Sequence, residues 1–80
     1  MSRKVMDICL DGFHLVCIKT ADKVNPFRVY RITENHRRLI AKYGDFMSVI
    51  YFVRDLYTAG ADTFTLAQLV QWAKSTGSIW

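Results

Sequence analysis

The chain has 80 residues, which is enough for one small hydrophobic core and too few for a second domain. Hydrophobic residues make up 51% of it and aromatic residues 14%, more than a disordered chain carries, so we expect one globular domain over residues 1–80. The formal net charge is +4, and a basic excess of this kind favours anionic partners.

The composition also argues against a membrane protein. No apolar run reaches the roughly 20 residues that a membrane-spanning helix needs. Asp7 and Asp11 interrupt the N-terminal segment before the apolar part of a signal peptide can form. We therefore expect a soluble, cytoplasmic protein in which Cys9 and Cys17 stay reduced.

The first predicted feature is a β-hairpin. Two alternating runs, VMDICL and FHLVCI, flank Asp11-Gly12, a strong signal for a two-residue turn. The implied cross-strand pairs are Leu10 with Phe13, Cys9 with His14, Asp7 with Val16, and Met6 with Cys17. Cys9 and Cys17 then point to opposite faces, so they cannot form an intrachain disulfide.

This register also gathers Asp7, Cys9 and His14 on one face, a combination of residue types used in thiol nucleophiles and in metal sites. Zinc sites need three or four ligands with local spacing such as C-x2-C, and the other histidine, His36, has no such spacing. No oxyanion pocket, paired carboxylates or glycine-rich phosphate loop is recognisable. We therefore expect no enzymatic activity, no metal and no cofactor.

The next two segments predict further strands. FRVYRIT, residues 27–33, alternates with period two and is rich in β-branched and aromatic residues. HRRLIAKY, residues 36–43, is ambiguous, because a helix capped by Thr33 and ended by Gly44 also fits it. We favour a fourth strand, because the short polar turn Glu34-Asn35 connects it directly to the third.

Two helices follow. Asp45 is placed to cap the first, whose predicted apolar face consists of Phe46, Val49, Ile50, Val53, Leu56 and Tyr57. Thr65 and Gln68 form a capping box at the start of the second helix, with Phe64 and Leu69 placed as a hydrophobic staple. The apolar side of the second helix is predicted to comprise Leu66, Leu69, Val70, Trp72 and Ala73.

These elements predict an α+β fold, an antiparallel β-meander of three to four strands followed by two α-helices packed on one face as a two-layer sandwich. The helices should cover Met6, Ile8, Leu10, Phe13, Leu15, Cys17, Tyr30, Ile32, Leu39, Ala41 and Tyr43. The opposite face should then carry too many large apolar residues for a solvated sheet. Its candidate partner-binding residues are Val16, Ile18, Phe27, Val29 and Ile40.

The charge is concentrated in one segment. Between Arg28 and Lys42 there are five basic residues and one acid, five minus one giving +4, and the remainder holds six of each sign. The candidate anion-binding or nucleic-acid-binding residues on the open face are Arg31, His36, Arg38 and Lys42. Alternatively, the arginine stems only cover apolar surface while their charges stay in water. Arg28 and Arg37 fall on the helix side, although a one-residue shift of register would move them to the other face.

The sequence thus predicts a non-catalytic interaction module that self-associates as a homo-oligomer, or docks another protein, through its open sheet face. The alternative is nucleic-acid binding through the basic hairpin at residues 28–42.

Overall fold

The computed structural model describes residues 2–10, 13–34, 36–60 and 64–75. The strands β1 (Arg3–Leu10), β2 (Phe13–Lys19), β3 (Phe27–Thr33) and β4 (His36–Tyr43) form one antiparallel sheet in the order β1-β2-β3-β4. The helices α1 (Phe46–Thr58) and α2 (Leu66–Ser75) follow and pack against it. The predicted two-layer α+β arrangement is confirmed, and residues 36–43 form a strand.

The register of the first hairpin is also confirmed. Met6 lies opposite Cys17, Asp7 opposite Val16, Cys9 opposite His14, and Leu10 opposite Phe13. The predicted turn residues Asp11 and Gly12 lie outside the described residues. A register shift between Lys4 and Met6 leaves Val5 as an extra residue in β1. Such a bulge disrupts the outer edge of the sheet at this strand.

The predicted facing of β3 is wrong by one residue. Cys17 lies opposite Val29 and Leu15 lies opposite Arg31. Because opposed residues share a face, Phe27, Val29, Arg31 and Thr33 lie on the helix side, and Arg28, Tyr30 and Ile32 lie on the other. Apolar residues occur at both parities of this strand, and the connection before it, residues 20–26, is too long to define a register from sequence.

A second irregularity of the sheet lies in β4. Val29 lies opposite Ala41 but Tyr30 lies opposite Leu39, so Ile40 is an extra residue in the edge strand. Both Ile40 and Ala41 are fully buried. Leu39 lies opposite Tyr30 and shares its helix-free face, and the extra residue returns Ala41, Lys42 and Tyr43 to their predicted faces.

The core lies between the sheet and the helices. Asp45 accepts a 2.8 Å hydrogen bond from the Ser48 amide, so the predicted cap of α1 is confirmed. This helix buries Val49, Phe52 and Leu56. Ile50 and Tyr57, predicted on its buried face, are 39% and 62% exposed. The prediction was wrong because this helix carries apolar residues on several sides, so their spacing in the sequence does not identify the buried side.

The start of α2 is a capping box, as predicted. The Gln68 amide donates to Thr65 Oγ1 at 3.2 Å, and the Thr65 amide donates to Gln68 Oε1 at 2.8 Å. Leu69 is buried and Phe64 packs against the core, as expected for a hydrophobic staple. These local bonds satisfy helix-end amides and position α2 over the sheet.

Candidate partner-binding surface

The sheet has one face that neither helix covers, which we call the helix-free face. Its members follow from the observed register, since directly opposed residues share a face. They are Lys4, Asp7 and Cys9 of β1, His14, Val16 and Ile18 of β2, Arg28, Tyr30 and Ile32 of β3, and Arg37, Leu39 and Lys42 of β4.

Apolar side chains occupy the middle of the helix-free face. They are Val16, Ile18, Tyr30, Ile32 and Leu39, and all are buried or half-buried. Val16 is only 7% exposed although no helix covers it, because neighbouring strands flank it on both sides. An antiparallel sheet face that meets only water usually carries more polar side chains at such positions.

Basic side chains border this apolar centre. Lys4, Arg28 and Arg37 are the second residues of their strands, and Lys42 is the last but one of β4. The described residues of the face hold these four basic side chains and one acid, Asp7, so four minus one gives a net charge of +3 with histidine neutral. The border therefore creates a positive potential around an apolar patch.

Arg28 and Lys42 lie directly opposite each other on this border. Like charges in that position destabilise a strand pair by several tenths of a kcal/mol unless they are matched. Asp22, in the loop before β3, accepts hydrogen bonds from the amides of Val24 and Asn25 at 2.8 Å and 3.2 Å. Those bonds, aided by the charges of Arg28 and Lys42, hold the pKa of Asp22 below its usual value.

Arg37 and Tyr30 form a second contact on the face. The guanidinium carbon of Arg37 lies 4.4 Å from the centre of the Tyr30 ring. A cation in this position is attracted to the electron-rich face of the ring. The contact places the exposed Arg37 beside Tyr30, at the border of the apolar centre.

The five predicted partner-binding residues are divided by the observed register. Val16 and Ile18 lie on the helix-free face, as expected. Val29 and Ile40 are fully buried in the core, and Phe27 packs against Phe46 of α1 with 5.7 Å between ring centres. Their predicted positions are therefore corrected: these three residues hold the layers together and do not line an open face.

The four predicted anion-binding residues are divided as well. Arg31 lies on the helix side, with its guanidinium carbon 4.8 Å from the Phe13 ring centre and its Nη1 donating to the Phe64 carbonyl at 3.3 Å. Arg38 lies opposite Arg31, as predicted, but both belong to the helix side. His36 is exposed opposite Thr33, also on that side. Lys42 alone among the four lies on the helix-free face.

Five residues of the helix-free face were not predicted to lie there: Arg28, Tyr30, Ile32, Arg37 and Leu39. One indication of this error was present in the sequence, because the predicted register placed two charged residues, Arg28 and Arg37, on the helix side. A shift of β3 by one residue brings both arginines to the surface and Val29 into the core, as observed.

The polar cluster at the β1 end of the face is built on Asp7. Lys4 Nζ donates to Asp7 Oδ2 at 2.7 Å, and His14 Nε2 is hydrogen-bonded to Asp7 Oδ1. The bond from Lys4, followed by that from His14, lowers the pKa of Asp7. Cys9 is exposed and lies across the strand pair from His14. The described residues contain no group of three or more His, Cys, Asp or Glu side chains arranged to hold a metal ion.

Comparisons of the chain with protein-family models, with curated proteins and with solved structures find no match. In the described part of the chain, neither helix is long and apolar enough to cross a membrane.

Proposed function

We propose that the chain is a small, non-catalytic, cytoplasmic binding module that docks an acidic protein partner on its helix-free face. The observation that carries the proposal is the apolar centre formed by Val16, Ile18, Tyr30, Ile32 and Leu39 with basic side chains around it. Protein interfaces commonly combine an apolar middle with a polar rim. A partner with apolar side chains ringed by carboxylates matches both parts of this surface.

The sheet edges are less suited to binding than the face. Both edge strands contain an extra residue, Val5 in β1 and Ile40 in β4. They also carry basic side chains, among them Lys4 and Arg37. Bulges and charged residues are the features by which natural sheets prevent a further strand from pairing with an edge. The proposed partner therefore packs onto the face.

Charge decides between an acidic partner and a second copy at this face. Two copies docked face to face would bring together two surfaces that each carry a net charge of +3 among the described residues, or three minus one, +2, when the neighbouring Asp22 carboxylate is counted. Like charges placed across an interface oppose binding. The self-association predicted from sequence is therefore not proposed at the helix-free face.

The test measures binding of a synthetic helical peptide that has leucines on one side and glutamates on the other, by fluorescence anisotropy of the labelled peptide. Ile32→Glu introduces a carboxylate into the apolar centre and should weaken binding by about tenfold or more, equivalent to 1.4 kcal/mol. Ile50→Glu is the matched control on α1, away from this face, and should bind as the parent does. Equal binding by the parent and Ile32→Glu would refute the proposal.

A second pair of variants tests the basic border. Replacing Arg28 and Lys42 together by Gln should weaken peptide binding and reduce its dependence on salt, because fewer charges then attract the peptide. Lys23→Gln together with Lys74→Gln removes the same charge from positions outside the face and is the control. If both double variants lose affinity equally, only net charge matters and no docking face exists.

A second candidate is nucleic-acid binding, favoured by the Tyr30 ring with Arg37 stacked on it between basic residues. Aromatic rings on an open sheet can stack on bases of single strands. An oligothymidylate should then bind with a steep salt dependence, and Tyr30→Leu should weaken it. Such binding, together with failure of the acidic peptide, would replace the first candidate by the second.

A further inference from the structure

A second surface of the molecule is also rich in exposed apolar side chains. Four large side chains of α1 are exposed to solvent: Ile50 by 39%, Tyr51 by 49%, Met47 by 52% and Tyr57 by 62%. The other three follow Met47 by three, four and ten residues, which places all four along one side of the helix, together with Arg54. We call these five residues the outer stripe of α1.

The outer stripe is unusual because the opposite side of the same helix already forms the core. Val49, Phe52 and Leu56 are fully or almost fully buried there. A helix that covers a sheet normally presents polar residues to solvent, whereas one that is apolar on both sides is normally buried on both. An exposed apolar patch of this kind is typical of an interaction surface.

We propose that the outer stripe binds a second copy of the chain, forming a symmetric dimer through two α1 helices. The charge pattern supports this occupant. Arg54 is the charged residue of the stripe, and its Nη2 donates to Asp55 Oδ1 at 3.4 Å. Its guanidinium carbon also lies 5.0 Å from the Tyr51 ring centre. The stripe with Asp55 is therefore neutral, unlike the helix-free face, and two copies can approach without unmatched charge.

An antiparallel arrangement fits the order of residues along the stripe. Met47 and Tyr57 stand at its two ends, about 15 Å apart at the rise of an α-helix. A two-fold axis near the middle of α1 places Met47 of one copy against Tyr57 of the other, a favourable sulfur-aromatic contact. It also places Ile50 of one copy beside the Arg54 stem of the other. Residue contacts of this reciprocal kind are what a two-fold dimer requires.

The size of the stripe sets the expected strength. Its four half-exposed apolar side chains present on the order of 400 Å² per copy, about half of what a stable interface of standard size buries. The dimer should therefore be weak and depend on concentration. It leaves the helix-free face open, so it is compatible with the proposed function and does not depend on it.

The test is sedimentation equilibrium of the full chain over a range of concentrations. The weight-average mass of the parent should rise from 9.3 kDa toward twice that value as concentration increases. Ile50→Lys should raise the dissociation constant by about tenfold or more, because it places a second cation beside Arg54 of the other copy. Ile32→Lys, the matched control on the helix-free face, should dimerise as the parent does.

Three results would overturn the inference. The first is a parent that stays at 9.3 kDa up to millimolar concentration. The second is a dimer that Ile50→Lys leaves intact, and the third is a dimer that Ile32→Lys disrupts equally well. Tyr57→Ser, at the most exposed position of the stripe, gives the same comparison should circular dichroism show that Ile50→Lys is unfolded. Binding of the acidic peptide by Ile50→Lys separates this test from that of the proposed function.

Discussion

Cys17 and Val29 lie directly opposite each other in the β2–β3 pair, and both side chains are fully buried between the sheet and the helices. This pairing places Val29 in the core and its neighbour Tyr30 on the helix-free face. Every functional assignment for β3 follows from it, because a slip of one residue would exchange the two faces.

Substitutions at Val29 and Ile32 test this register. Val29→Glu buries an unpaired carboxylate and should cost more than about 4 kcal/mol, enough to unfold a domain of this size. Ile32→Glu, half-buried on the helix-free face, should keep the circular dichroism spectrum and cooperative unfolding of the parent. A folded Val29→Glu variant beside an unfolded Ile32→Glu variant would show that the register is wrong.

The two thiols should differ sharply in reactivity. Cys9 is exposed, whereas Cys17 is fully buried. Burial raises the pKa of the Cys17 thiol to about 11, so almost none of it is thiolate near neutral pH. Mass spectrometry after brief alkylation of the native protein should show one modification, at Cys9. Rapid modification at Cys17, or an intrachain disulfide, would contradict the hairpin geometry.

The Cys17 thiol also predicts an alkaline loss of stability. Its pKa in the folded protein is above the ordinary value of 9.0, so folding favours the protonated thiol. That contribution is fully present below pH 9 and is lost as the pH rises toward 11. Denaturant unfolding of the parent and of Cys17→Ala across this range should give a steeper decline for the parent. Cys17→Ala itself should cost about 1 kcal/mol at neutral pH through lost packing.

Asp45 should make α1 sensitive to acid. The hydrogen bond from the Ser48 amide lowers the pKa of this carboxyl below 3.8. A lowered pKa means that the carboxylate stabilises the fold above its ordinary pKa, and that this contribution is lost as the pH falls through the folded value. Asp45→Asn retains an N-cap acceptor but cannot titrate. Its unfolding free energy should therefore change less than that of the parent between pH 5 and the acid limit; identical profiles would contradict this role.

The capping box of α2 should contribute measurably to stability. Thr65→Ala removes the oxygen that accepts from the Gln68 amide and should lower the free energy of unfolding by about 1 kcal/mol. Thr58→Ala is the matched control, because the Thr58 hydroxyl only donates to the Arg54 carbonyl within α1. Its effect should stay within about 0.5 kcal/mol. Similar losses for both variants would show that the capping box has no special role.

The elements that sequence predicted well are those determined by local chemistry. The β1–β2 register follows from the short Asp11-Gly12 connection and from alternation on both arms. Every predicted pair of this hairpin is observed. The caps at Asp45 and Thr65 depend on residues three positions apart, so they are visible in the chain itself. Helix order and fold class followed from these local signals.

The elements that sequence predicted poorly depend on contacts between distant residues. The facing of β3 is set by its pairing with β2 across a seven-residue connection, and FRVYRIT offers apolar residues to either face. The extra residue at Ile40 has no signal of its own. It returns Ala41, Lys42 and Tyr43 to the faces predicted for them, whereas Leu39 lies opposite Tyr30 on the helix-free face. Of the candidate residues predicted for the open face, Val16, Ile18 and Lys42 therefore lie on the helix-free face, and the other candidates lie on the helix side or in the core.

The most direct test of the proposed docking face is methyl NMR during titration with the leucine-glutamate peptide, because methyl groups distinguish the two sides of a strand where backbone amides do not. Binding at the helix-free face should shift the methyl signals of Ile18, Ile32 and Leu39 and leave those of Val29 and Ile40 unchanged. Shifts confined to Met47 and Ile50 of α1, or no shifts at peptide excess, would contradict it.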